Sequence, residues 1–232
     1  MAIERALLTG PALCVLAFSL SACGDQGSIG ELGNASFGYK CTSDSDPICD
    51  ADPNFNEGFV RAMPQLIAVG ATFGVTYDSV SSTAQEGSAF VQPVSNELLA
   101  SAAASGGFMA IGPGYAGLLA MRGSTVVDVI HVHLVAINHA QIAAPSPVSL
   151  SPGGLIDLRA DALDASNAVL AGSLTYHWTS DDVAVAEVVS SATTNEITLR
   201  ANAAGQTTLR VTVHNVSAEV PVSVIAPSPG SP

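Results

Sequence analysis

Leu174-Thr-Tyr-His-Trp-Thr-Ser180 decides the fold of this chain. Leu174, Tyr176 and Trp178 alternate with Thr175, His177 and Thr179. A period of two sends apolar side chains to one face of a strand and polar ones to the other. The same rhythm recurs on both sides. Ile156, Leu158 and Ala160 alternate with Asp157, Arg159 and Asp161, and Leu209, Val211 and Val213 with Arg210, Thr212 and His214. Val220, Val222 and Val224 alternate with Pro221 and Ser223. Strands with one buried and one wet face belong to antiparallel sandwiches. About seven of them, parted by Gly, Pro, Asn and Asp turns between residues 148 and 225, fit one immunoglobulin-like unit. Pro221 cannot donate to a ladder, so its strand is expected at an edge or a bulge.

An internal repeat extends this pattern. Gly70 precedes Phe73, Val75 and Tyr77 as Gly153 precedes Ile156, Leu158 and Ala160. Phe90 is expected in the slot of Trp178. Ala110-Ile-Gly-Pro-Gly114 parallels Ala201-Asn-Ala-Ala-Gly205, which sets Leu118 against Leu209. The expectation is an all-β chain of two tandem immunoglobulin-like antiparallel β-sandwiches: a degenerate copy over 55–138 and a clearer one over 139–226. The polar, Pro-bearing stretch Asn138–Pro147 reads as their junction. Glu97–Ser105, rich in Leu and Ala, is expected to form a short turn of helix. Residues 227–232 read as a disordered tail.

Trp178-Thr-Ser-Asp-Asp-Val-Ala-Val-Ala186 and Ala204-Gly-Gln-Thr-Thr-Leu209 carry a family resemblance. They resemble the Trp-x-Ser-x-Asp-x-x-Val-Ala and Gly-x-x-x-Ile/Leu segments of bacterial immunoglobulin-like domains of group 2, the modules of intimin- and invasin-type surface proteins. The resemblance covers 146–225 and reaches 55–136 only weakly, because the tryptophan and the Ser-Asp turn are missing there. It implies that Trp178 fills the space between the sheets and that Gly205 supplies a tight turn. It also implies spacing, adhesion or ligand display, with no shared catalytic residues.

The N-terminus carries an address. Arg5 precedes an apolar run from Ala6 to Ala22, interrupted by Gly10 and Pro11 and too short to span a bilayer comfortably. Small residues close it at Leu20-Ser21-Ala22-Cys23, as in a secretory signal peptide over residues 1–22. The cysteine in that place resembles a bacterial lipoprotein signal, which implies acylation of Cys23 and attachment to the membrane by lipid. Gly24, where an Asp would retain such a protein at the inner membrane, favours the outer membrane. Residues 23–54, rich in Gly, Ser and Asp, read as an acylated tether. In an exported chain Cys41 and Cys49 most simply form a disulfide loop within it, the alternative being two free or metal-binding thiols.

Composition narrows the function. A net charge of −13 with seven Lys plus Arg leaves no basic patch for nucleic acid. Hydrophobic residues at 48% permit a packed core, while only 5% aromatics leave few rings for stacking sugars. Asp50, Asp52, Asn54 and Asn56 place oxygens at alternate positions, as a calcium loop does, but Phe55 and Arg61 stand where an EF-hand has Gly and Glu. A solvated acidic linker is the simpler account. His131 and His133 share one strand face, and a zinc site would require a third ligand such as Asp128 or His139. Asp128 has the opposite parity and points away. Gly-x-Ser-x-Gly is absent, and Gly112-Pro-Gly114 lacks the following helix of a phosphate cradle. Tyr115 beside it suits an exposed contact or a core place equally. The reading is a non-enzymatic, cofactor-free, lipid-anchored envelope protein that spaces or displays a surface for a protein or glycan partner. The alternative is a carbohydrate- or metal-binding surface lipoprotein.

Overall fold

The computed structural model describes residues 27–41, 43, 45–49, 60–79, 89–102 and 107–226. They are strands and turns, with no helix among the described residues. The first unit holds β1 (Ser28–Ile29), β2 (Ala35–Lys40), β3 (Val60–Arg61), β4 (Ile67–Ala68), β5 (Thr72–Ser79), β6 (Ala89–Pro93), β7 (Leu99–Ala102), β8 (Gly107–Ala110), β9 (Gly114–Arg122) and β10 (Thr125–Val135). The second holds β11 (His139–Ala143), β12 (Val148–Leu150), β13 (Leu155–Leu163), β14 (Tyr176–Ser180), β15 (Ala186–Val188), β16 (Glu196–Ala201), β17 (Gly205–Val213) and β18 (Val216–Val224).

The two units share one wiring. In the second, the sheets run β11-β13-β16-β15 and β12-β18-β17-β14. In the first, β2-β5-β8-β7 and β4-β10-β9-β6 repeat that order, with β1 and β3 added on β2. The short strands β4 and β12 pair parallel with β10 and β18, and the other ladders are antiparallel. A leading strand divided between two sheets, with Greek-key crossings behind it, is an immunoglobulin-like sandwich. The described residues are therefore all-β, with two such sandwiches in tandem.

Period-two alternation explains the second core. Leu158, Tyr176, Trp178, Leu199, Leu209, Val211 and Val222 all lie at 4% exposure or less. Trp178 sits in this core, and its Nε1–H donates to the Thr194 carbonyl at 2.9 Å. Gly205 opens β17 close to Val185, whose Cγ2 lies 2.8 Å from where a Cβ would stand. Packing against Val185 demands this glycine, where the resemblance implied a tight turn. β18 is an interior strand, but β12 begins opposite Val222, so Pro221 has no ladder neighbour on that side.

The first unit departs from expectation in three places. Residues 28–40 are not tether. Ala35, Phe37 and Tyr39 alternate with Ser36, Gly38 and Lys40, and all three are fully buried in a sheet beside β5. Phe90 is 42% exposed and does not take the slot of Trp178. Val91 does, because Val91 pairs with Ala120 as Trp178 pairs with Val211. The slip of one residue reverses the face, and the missing bulk comes from the opposite sheet. There the Phe73 ring lies 6.0 Å from that of Tyr39 and 5.9 Å from that of Phe108. Lastly, Leu99–Ala102 is strand β7 rather than a turn of helix, because Leu99 is needed in the core.

Candidate functional site

The Cys41–Cys49 disulfide forms, with a Cα–Cα distance of 5.7 Å. Both cysteines are buried in the first core, so the loop they close belongs to the sandwich and not to a tether. That loop presents Asp46, only 1% exposed, to the second unit. Asp46 Oδ1 accepts from the Gly172 N–H at 3.1 Å and from the Ile48 N–H at 3.2 Å, and Oδ2 accepts from the Tyr39 hydroxyl. Burial raises the Asp46 carboxyl above the ordinary carboxylate range, against the pull of the three donors and the Arg61 charge. Burial, together with the Asp46 charge, pushes the Tyr39 phenol well up. From the second unit Arg159 Nη2 donates to the Pro47 carbonyl at 3.3 Å.

Backbone closes the same junction. The Ala68 N–H donates to the Ala171 carbonyl at 2.9 Å, and the Ala171 N–H donates to the Leu66 carbonyl at 3.0 Å. Thr72 and Ser173 exchange both bonds, at 3.0 and 2.8 Å. Gly172 has φ +107°, and a Cβ there would stand 2.5 Å from the Ala71 Cβ. Ala68 and Ala71 join the core of the second unit and Ala171 joins that of the first. The two cores thus meet through small residues, and a short stretch of paired backbone crosses between them.

His131 and His133 stand on the outer face of β10, opposite in parity to the buried Val132 and Leu134. Asp128 points inward, as its parity required. Its carboxylate accepts from the N–H groups of Leu32, Asn34, Ala35 and Val129 at 2.7–2.8 Å. Burial acts to raise its pKa, but these four donors outweigh it and hold the carboxyl below its ordinary value. Asp128 is therefore a clamp on the turn after β1 and no partner for the histidines. Among the described residues no three His, Cys, Asp or Glu side chains converge to hold a metal ion. Cys23, Asp50, Asp52, Asn54 and Asn56 lie outside the described residues.

The histidines have other neighbours. Tyr115, 70% exposed, stacks on His133 with centroids 4.3 Å apart and planes 9° from parallel. His131 pairs in register with Gly117, and its Nδ1 lies 2.5 Å from Glu31 Oε1. The segment after β6 folds over this strand, with the Val94 N–H donating to the Gly117 carbonyl at 2.9 Å. Leu98 fills the notch left by Gly112 and Gly114, 3.2 Å from where either Cβ would be. A cavity of about 190 Å³ remains between Val94, Ser95, Leu98, Tyr115, Gly117 and His131. Sequence reasoning found the histidines and Tyr115 but not Glu31, Val94 or Gly117. A glycine in mid-strand was the available signal.

No protein-family model matches this sequence, and no curated protein matches it. Among solved structures, domains 4 and 5 of the S-layer protein SbsC are 22% identical, over 60% of this chain and 77% of that one, with a TM-score of 0.34. The Yersinia pseudotuberculosis adhesin InvE is 14% identical, over 69% and 56%, at 0.35. A glycosyl hydrolase family 2 member from Bacteroides cellulosilyticus is 12% identical, over 82% of this chain and 29% of that one, at 0.33. At these TM-scores the likenesses carry no argument, and the fold rests on the strand order above.

Proposed function

We propose that this chain is a non-enzymatic, lipid-anchored protein of the cell envelope whose two sandwiches form one strut that displays an interaction surface. One observation carries the reading: the junction is tied by paired backbone and by the buried Asp46, where a flexible linker would serve if the units worked separately. The Leu20-Ser21-Ala22-Cys23 signal supports acylation at Cys23, and the outer membrane is the proposed site.

Spin labels at Val126→Cys and Val183→Cys, both exposed and one in each unit, test the strut. A single narrow distance distribution is expected, and a broad one refutes it. Metabolic labelling with a palmitate analogue tests the anchor. Label is expected on the wild-type chain and absent from Cys23→Ser; its persistence in the variant removes the lipid reading.

A further inference from the structure

The outer face of β9 and β10 holds a concavity that the strut reading does not use. The repeat supplies its own comparison. Gly114 opens β9 as Gly205 opens β17, and Gly117 pairs with His131 as Thr208 pairs with Pro221. Tyr115, Gly117, His131 and His133 thus occupy the places of Gln206, Thr208, Pro221 and Ser223. The second unit has a groove of about 330 Å³ there, lined by these four residues among others, with neither aromatic ring nor imidazole. Where the second unit carries Gln, Thr, Pro and Ser, the first carries a ring, a glycine and two histidines.

These four residues work together. His133 does not line the cavity, so it backs the Tyr115 ring and leaves the rest of that ring to the cavity wall. Gly117 keeps the floor low. A Cβ there would stand 2.7 Å from Val94 Cγ2 and 3.5 Å from His131 Nε2, so that nitrogen faces the space over the glycine. A carboxylate only accepts, so Nδ1 of His131 turns its proton to Glu31. Nε2 is left facing the cavity as a hydrogen-bonding atom. Ser95 adds a hydroxyl at the rim, while Val94 and Leu98 form the far wall.

The occupant must offer an apolar flat face to Tyr115 and a hydroxyl to Nε2. It must also be no larger than one ring, because 190 Å³ falls below the roughly 300–1,000 Å³ of sites for drug-sized ligands. Glu31 beside the imidazole and the net charge of −13 disfavour an anion. We propose that this cavity binds a neutral hexopyranose ring, such as the end of a glycan, with its C–H face on Tyr115 and a hydroxyl hydrogen-bonded to His131 Nε2. The proposal deepens the display reading and rests on it for its biological setting.

Saturation-transfer NMR on the full chain, in a detergent without a sugar head group, tests it. The probes are the methyl pyranosides of glucose, galactose and mannose, with glucuronate and free tryptophan as comparisons. Transfer to at least one neutral pyranoside is expected, with a dissociation constant on the order of 1 mM for so few atoms. Tyr115→Ala should weaken it at least tenfold, and His131→Phe, which removes that hydrogen bond, should do the same. Gln206→Ala in the second unit should leave it unchanged. Tyr115 is exposed, so its variant keeps the fold, and an unchanged thermal melt verifies this. Silence from every neutral pyranoside overturns the proposal, as does binding that survives Tyr115→Ala or binding of tryptophan or glucuronate in their place. Palmitate labelling without sugar binding keeps the anchor and loses the pocket, and sugar binding without label does the reverse.

Discussion

Replacing Asp46 by Ala should loosen the junction between the two sandwiches. The substitution strips the acceptor from two buried donors, the Gly172 N–H and the Tyr39 hydroxyl, and from the half-buried Ile48 N–H. A buried donor left without a partner costs about 1–3 kcal/mol, so the two buried ones should cost roughly 2–6 kcal/mol. Asp46→Asn should behave differently. Its Oδ1 keeps both N–H bonds, its amide can donate to the Tyr39 oxygen, and no charge is buried. We expect it to stay within about 1 kcal/mol of wild type at neutral pH. The pH dependence has a definite sign. Because burial raises the folded pKa of Asp46, its favourable contribution is full below the unfolded value of about 3.9 and is lost as pH rises through the folded value. Stability of the wild type relative to Asp46→Asn should therefore fall as pH rises from about 4 until the folded value is passed. Urea unfolding followed by the fluorescence of the single tryptophan, Trp178, reads the second unit directly. Asp46→Ala within about 0.5 kcal/mol of wild type, or a wild type that gains on the Asn variant as pH rises, would refute the reasoning.

Three other outcomes follow from the same contacts. Asp128 has the opposite sign: its lowered pKa contributes stability above about pH 3.9, lost as pH falls through the folded value, so Asp128→Asn should cost about 2 kcal/mol at pH 7 and less in acid, by urea midpoints. Trp178→Ala should cost about 3–5 kcal/mol, whereas Phe90→Ala should cost under about 1 kcal/mol, a contrast in thermal melts that checks the register of β6. Removing the disulfide by Cys41→Ser with Cys49→Ser should cost about 2.5 kcal/mol, from the loop entropy of a separation of 8 residues, measured by the same midpoints.

Alternation alone determined much of this molecule. Leu174, Tyr176 and Trp178 against Thr175, His177 and Thr179 could pack only as a strand with one buried face, and the matched Gly-led segments foretold a second copy. The parity of Asp128 against His131 and His133 was likewise readable, because successive side chains on a strand must diverge. The tertiary structure decided the rest. Ala35, Phe37 and Tyr39 alternate as clearly as any strand, yet only their pairing with β5 separates them from the polar residues around them. Phe90 and Val91 are both apolar, and only the ladder with β9 says which faces in. Asp46 is unremarkable in sequence. Its role depends on Gly172 lying 126 residues away, and contacts at that separation leave no local pattern to read.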